Sequence, residues 1–185
     1  MSTKLTKKFE TEITIPEDVK VNFKNFVLSV NGPLGKAYKN FKKIPVDVNV
    51  LDNKISIKAT GTRKKHYAIL NTAKSLIQTL CEGVVEGYTV KMKIISSHFP
   101  ITVKTDGKNV LIENFQGEKA HRTSRIWGET KVIPKGDDLI ITGHVLTDVT
   151  QTAAEIQSVS KVKNKDHRVF LDGIYKYFKS KGIEK

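Results

Sequence analysis

Twice along this chain a run of alternating apolar and polar residues gives way to a single stripe of helical period. That double switch limits the fold more than any other feature. In the first half, Phe9 to Ile15 alternates; Val19, Val21 and Phe23 share one strand face, and Phe26, Leu28 and Val30 share another. Val46, Val48, Val50 and then Ile55, Ile57, Ala59 continue the period of two, the mark of half-buried strands. Turn residues separate these runs at Pro16 to Asp18, at Asn31-Gly-Pro-Leu-Gly35 and at Asp52-Asn53. The pattern predicts an antiparallel meander with a hairpin returning through Lys36 to Phe41.

From Thr62 the period changes. Ile69, Ala73, Leu76, Ile77, Leu80 and Val84 fall on one helical stripe, bounded by Gly61-Thr62 and by Gly83 or Gly87, which predicts a helix over 62–84. Tyr88, Val90, Met92 and Ile94 then return to strand period, followed by Ile101 and Val103, Val110 to Ile112, Thr130 to Ile133 and Leu139 to Ile141. Turns are expected at Asp106 to Asn109, Phe115 to Glu118 and Pro134 to Asp138. A second helix is expected from Thr147-Asp148, both good N-cap residues, with Val149, Ala153 and Ile156 on its apolar side. Gly35 answers to Gly117 and Thr72-Ala73 to Thr152-Ala153 at nearly the same offset. The expectation is an α+β chain of two tandem similar domains, 1–84 and 85–185, each an antiparallel sheet packed against a helix.

Charge narrows the partners. Thirty-two Lys and Arg against 19 Asp and Glu give a net charge of +13 and a pI near 9.7, which points to nucleic acid or an anionic membrane surface. No apolar run approaches the roughly 18 residues that span a bilayer, and MSTKLTKKFETE lacks the apolar core of a signal peptide, so no membrane is expected. Cys81 is the only cysteine, which excludes an intrachain disulfide and a cysteine-cluster metal site and suits a reducing compartment. A cytoplasmic location is the expectation.

Catalytic chemistry is not encoded in any spacing. None of the five histidines stands at a metal-ligand interval. Ser96-Ser97-His98 puts hydroxyls beside an imidazole, but neighbours along a strand face opposite sides. Pro33 removes an N–H that a phosphate cradle at Asn31 to Gly35 would need. Asp137-Asp138 reads as a solvated turn, and Cys81 falls beside Leu80 on the helix stripe, a core position. No catalytic residue, metal site or cofactor is expected.

Binding chemistry is denser. Between residues 161 and 181 stand Lys161, Lys163, Lys165, Arg168, Lys176, Lys179 and Lys181, opposed only by Asp166 and Asp172. Phe170, Tyr175, Tyr177 and Phe178 lie among them, and Asp172-Gly173 reads as a turn. Cations neutralise phosphates, while aromatic rings either stack on bases or anchor the strip to a core; a solvated basic tail is the plainer alternative. A second basic-aromatic cluster, Lys119, His121, Arg122 and Arg125 with Trp127, lies on or near a hairpin, where charge can equally protect an edge strand.

Residues 162–175, VKNKDHRVFLDGIY, resemble the C-terminal signature of the universal sixth protein of the large ribosomal subunit, numbered nine in eukaryotes. Val30-Asn-Gly-Pro-Leu-Gly35, His98-Phe-Pro-Ile101 and Asn114-Phe-Gln-Gly-Glu-Lys119 match the same family in the same order, in its eukaryotic and archaeal form. The resemblance implies a non-enzymatic, structural constituent of the large subunit with two similar α+β domains. It implies large-subunit rRNA as partner near the sarcin–ricin loop, with neighbouring ribosomal proteins and translation factors close by. Its location would be the cytosolic ribosome, with assembly in the nucleus if the source is eukaryotic. Carried over by position, Lys163, Lys165, Arg168 and Tyr175 are implied RNA contacts; Phe170 and Ile174 pin the stretch, and Asp172 and Gly173 shape it. A non-ribosomal scaffold that binds acidic proteins is the alternative.

Overall fold

A computed structural model of the chain describes residues 9–51 and 53–183. The chain divides into two compact units, residues 1–85 and 86–185. The first contains β1 (Glu10–Thr14), β2 (Lys20–Lys24), β3 (Val27–Gly32), β4 (Gly35–Asn40), β5 (Val46–Leu51), β6 (Lys54–Ala59) and α1 (Lys64–Val85). Its strands form two antiparallel sheets, in the orders β1-β6-β5 and β2-β3-β4. The second contains β7 (Tyr88–Ile95), β8 (Thr102–Thr105), β9 (Asn109–Glu113), a 3-10 turn (Phe115–Gly117), β10 (Arg122–Arg125), β11 (Lys131–Lys135), β12 (Asp138–Gly143), α2 (Leu146–Val159) and β13 (Gly173–Lys181). Its sheets run β10-β9-β8 and β11-β12-β7-β13.

The two topologies correspond strand for strand. In each unit the first, sixth and fifth strands make one sheet, and the second, third and fourth make the other. The second unit then adds β13 beside β7, at the edge its counterpart β1 leaves open among the described residues. The fold is α+β, and the two halves share one plan.

The alternating residues enter the cores as expected. Leu28, Val30, Ile55 and Ile57 are fully buried in the first unit, and Val90, Met92, Val110, Ile112, Leu139 and Ile141 in the second. Each such side chain contributes roughly 1.5–3 kcal/mol by leaving water. On α1 the buried stripe is Leu70, Ala73, Ile77, Cys81 and Val84, so the inward face is rotated slightly from the expected one and Leu76 and Leu80 flank it. Burial, with Glu82's negative charge, pushes the Cys81 thiol up to about 11.

Four local expectations differ. Phe26 does not share the face of Leu28 and Val30: Asn25 and Phe26, at φ 51° and 63°, form the two-residue turn between β2 and β3, leaving the Phe26 ring exposed. Both central residues of that turn need positive φ to match strand twist, a need usually met by Asn-Gly. The second helix begins at Leu146 with Val145 as an N-cap that offers no side-chain bond; Asp148 sits inside the first turn, where its charge suits the helix dipole. Asp172-Gly173 is not a turn, because Gly173 already opens β13. Residues 173–181 are therefore neither a turn nor a tail. They form a nine-residue strand paired with β7 from Gly173↔Ile95 to Lys181↔Tyr88, with a bulge at Tyr177.

Candidate nucleic-acid interface

The basic stretch is a loop tied down at both ends. At its start Val162 enters the second unit's core. Ser160 Oγ donates to the Ile156 carbonyl at 2.9 Å and accepts the Ile174 N–H at 3.2 Å, joining the end of α2 to the start of β13. Ile174 is fully buried. At the far end the Asp172 carboxylate accepts the backbone N–H groups of Ser97 (2.6 Å) and His98 (3.2 Å) and meets His98 Nδ1 at 2.7 Å. The Phe170 ring stacks on the His98 ring at 4.5 Å between centroids. Burial alone would raise the Asp172 carboxyl; the His98 side chain and the two backbone N–H groups outweigh it and hold the carboxyl below its ordinary range.

Between these ties the chain reverses. Asn164 adopts φ 57°, the Arg168 N–H bonds Asp166 Oδ1 at 2.9 Å, and the Phe170 N–H bonds the Asp166 carbonyl at 2.9 Å. An aspartate bonding the backbone two residues on is the usual device for such a bend. Buried Val162 and half-buried Phe170 leave the residues between them nowhere to point but outward, and 163–169 are all exposed.

The cations differ in freedom. Lys163 and Lys165 are exposed, and Lys165 Nζ lies 5.6 Å from the Phe170 ring centroid, a cation–π contact. The Arg168 side chain is 90% exposed, and its Nη2 pairs with Asp166 at 2.9 Å. Tyr175 is 40% exposed on β13. A Cβ on Gly173 would stand 2.8 Å from the Tyr175 hydroxyl oxygen, so the bare glycine is what lets the ring lie there. The loop and the first residues of β13 thus bring Lys163, Lys165, Arg168 and Tyr175 to one end of the second unit.

The second cluster separates into two kinds of residue. Lys119, His121 and Arg125 are exposed, and the Arg125 guanidinium lies 5.0 Å from the Trp127 ring centroid. Arg122 is committed within the protein. It grips Glu118 through Nε (2.8 Å) and Nη2 (2.6 Å), and donates Nη1 to the Val159 (2.8 Å) and Lys161 (3.1 Å) carbonyls. Its guanidinium also covers the buried Phe115 ring at 4.1 Å. These bonds satisfy carbonyls at the end of α2, so the arginine acts as a cap supplied by a strand. The Arg122 guanidinium in turn holds the Glu118 carboxyl below the usual range.

His98 is the residue that sequence reasoning passed over. Its sequence neighbours Ser96 and Ser97 suggest a hydroxyl partner, and the family match at His98-Phe-Pro-Ile101 assigns it no role, whereas its contacts are Asp172 and Phe170, more than seventy positions away. Among the described residues no cluster of three His, Cys, Asp or Glu could hold a metal ion, and no helix is long and apolar enough to cross a membrane.

A twofold α+β plan with a basic loop strapped to one end defines a class of small, strongly basic proteins whose surface suits an anionic polymer. The family model described as ribosomal protein L6 matches residues 99–173. The "large ribosomal subunit protein uL6" of Methanobrevibacter smithii is 40% identical over 164 residues, covering 89% of this chain and 92% of its own. That of Staphylothermus marinus is 43% identical, covering 90% and 92%; that of the yeast Candida albicans is 45% identical, covering 88% and 90%. The chain belongs to the uL6 family.

Proposed function

We infer that this chain is a structural, non-enzymatic constituent of the large ribosomal subunit that holds folded rRNA. The observation that carries the reading is the strapped loop. Buried Val162 and Ile174, half-buried Phe170 and the Asp172–His98 tie fix its ends, while Lys163, Lys165 and Arg168 project from it. Such a loop supports phosphate neutralisation with little ordering cost on binding. Contacts to A-form RNA fall on phosphates, 2′-hydroxyls and splayed bases, because the major groove is too deep and narrow for side chains to read.

In this reading Lys163, Lys165, Arg168 and Tyr175 contact rRNA near the sarcin–ricin loop, beside the translation-factor site. Lys119, His121 and Arg125 add a second point of contact, and Arg122 shapes the surface between them. With the domains taken as 1–84 and 85–185, the second carries the binding surface. The protein works on the cytosolic ribosome among neighbouring large-subunit proteins, having joined it in the nucleus if the source is eukaryotic.

Footprinting of large-subunit rRNA with the full chain, repeated across a salt series, tests this. Affinity falls with salt, with a logarithmic slope of about −0.7 to −0.9 per phosphate contact. A salt-independent affinity, or protection confined to RNA far from the sarcin–ricin loop, overturns the reading.

A further inference from the structure

Beside the strapped loop lies a cleft of about 730 Å³ that the list of protruding cations leaves unexplained. Its walls are the later turns of α2, the segment from Ser160 to Val162, His167, and the first residues of β13. Four features set its chemistry. Its helix side is lined by small groups, Ala153, Ala154 and Ser158, which leave room close to the backbone. Tyr175 lines it from β13, its ring resting against the bare backbone of Gly173. Lys161, His167 and Lys176 stand at the cleft, none of the residues lining it is acidic, and neither lysine ammonium pairs with a carboxylate among the described residues. Finally, Gln157 is held in the wall by accepting the Lys176 N–H at 3.3 Å, and among the described residues its NH2 group has no acceptor.

We propose that this cleft receives a single unpaired ribonucleotide extruded from the bound RNA, the base lying between Tyr175 and the alanine side of α2 and its phosphates meeting Lys161 and Lys176. The proposal rests on the rRNA-binding reading and adds to it a pocket and a kind of ligand. The volume lies within the roughly 300–1,000 Å³ of sites that enclose small molecules, so a base with its sugar fits. Sequence-specific RNA recognition works mainly on unpaired bases of this kind, stacked on aromatic rings and bonded along their edges. Tyr175 supplies the ring, and the Gln157 amide and the Ser158 hydroxyl supply edge donors and acceptors. A purely phosphate-binding surface would need the lysines but neither the depth nor the small-residue wall.

The test has two arms. In the first, the ¹⁵N-labelled full chain is titrated with adenosine and uridine 5′-monophosphates at millimolar concentration, with inorganic phosphate as reference. Amide shifts confined to the cleft, centred on Ala154, Gln157, Ser158 and Tyr175, and absent with phosphate, are expected. Shifts elsewhere, or the same shifts with phosphate alone, overturn the nucleotide pocket.

In the second arm Ala154→Phe and Ser158→Phe fill the cleft from exposed helix positions. Variants that keep the wild-type circular dichroism should bind large-subunit rRNA at least about tenfold more weakly, with a salt slope shallower by about 0.7 for each phosphate contact to Lys161 or Lys176 that leaves with the expelled nucleotide. Equal binding by wild type and filled variants overturns this inference while leaving the rRNA reading intact. Failure of the wild type to bind rRNA overturns both. The first arm needs no variant, so it decides the matter even where filling disturbs the fold.

Discussion

The buried carboxylate of Asp172 lies 2.7 Å from Nδ1 of His98, and this one contact joins the loop after β7 to the strand that closes the same sheet. The Asp172 side chain is 2% exposed and that of His98 35%. Asp172→Ala would remove the acceptor shared by the Ser97 and His98 backbone N–H groups and the partner of the His98 ring, and should lower the stability of the second unit by about 2 kcal/mol, read by urea denaturation at neutral pH. The folded carboxyl sits below its ordinary value of 3.8, so the folded state favours the charged form. Its contribution is therefore complete above the unfolded value and fades as pH falls through the lower folded one. The stability gap between wild type and Asp172→Asn should be widest near neutrality and close below that window. A gap that is constant with pH would count against the ionised carboxylate.

Arg122 offers a contrast between charge and use. Its side chain is 19% exposed and grips Glu118, the last carbonyl of α2 at Val159 and the Lys161 carbonyl just beyond it at once. Lysine keeps the charge but cannot reproduce the planar fork. Arg122→Lys should destabilise the second unit by about 2 kcal/mol in a denaturant titration. Lys163→Ala, an exposed change, should leave the denaturation midpoint nearly unmoved.

Gly173→Ala separates folding from binding in the other direction. The added methyl collides with the far end of the Tyr175 ring, which is free to swing away. The stability change should stay below about 1 kcal/mol, while the ring leaves its position and rRNA affinity falls several-fold. Near-ultraviolet circular dichroism and a binding titration read the two effects separately.

Cys81 should be inert. It is 3% exposed on the inward face of α1, and its thiol titrates at about 11, so almost no thiolate exists at neutral pH. A thiol reagent such as 5,5′-dithiobis(2-nitrobenzoate) should react with it only on unfolding. Rapid labelling of the folded chain would refute this core position.

The duplication was legible because each half repeats one rhythm of strands and helix, and apolar periodicity reports which faces are buried. The strand β13 was not. Only Gly173 and Ile174 are buried among its nine residues, so it carries no apolar alternation. What holds it is the backbone ladder to β7, and ladder bonds leave no trace in side-chain pattern. The turn at Asn25-Phe26 escaped for a related reason, since a phenylalanine with positive φ imitates a strand residue.

At the site, the outward cations of the loop could be read from charge density. The difference between Lys163 and Arg122 could not, because five guanidinium donors serve solvent and protein equally well until the neighbours are known. His98 and Asp172 stand 74 positions apart, beyond the reach of any spacing rule.

The placement of β13 also sets an order of assembly. Ser56 on β6 reaches Glu10 on β1 across 46 residues, whereas Thr89 on β7 bonds the Gly182 carbonyl across 93. Closing the longer span loses more chain entropy, so the β7–β13 ladder should zip last and the second unit should refold more slowly than the first. Until it does, β7 presents an unsatisfied edge on which another strand can nucleate. The strand that completes the sheet is thus also its safeguard against misassociation during folding.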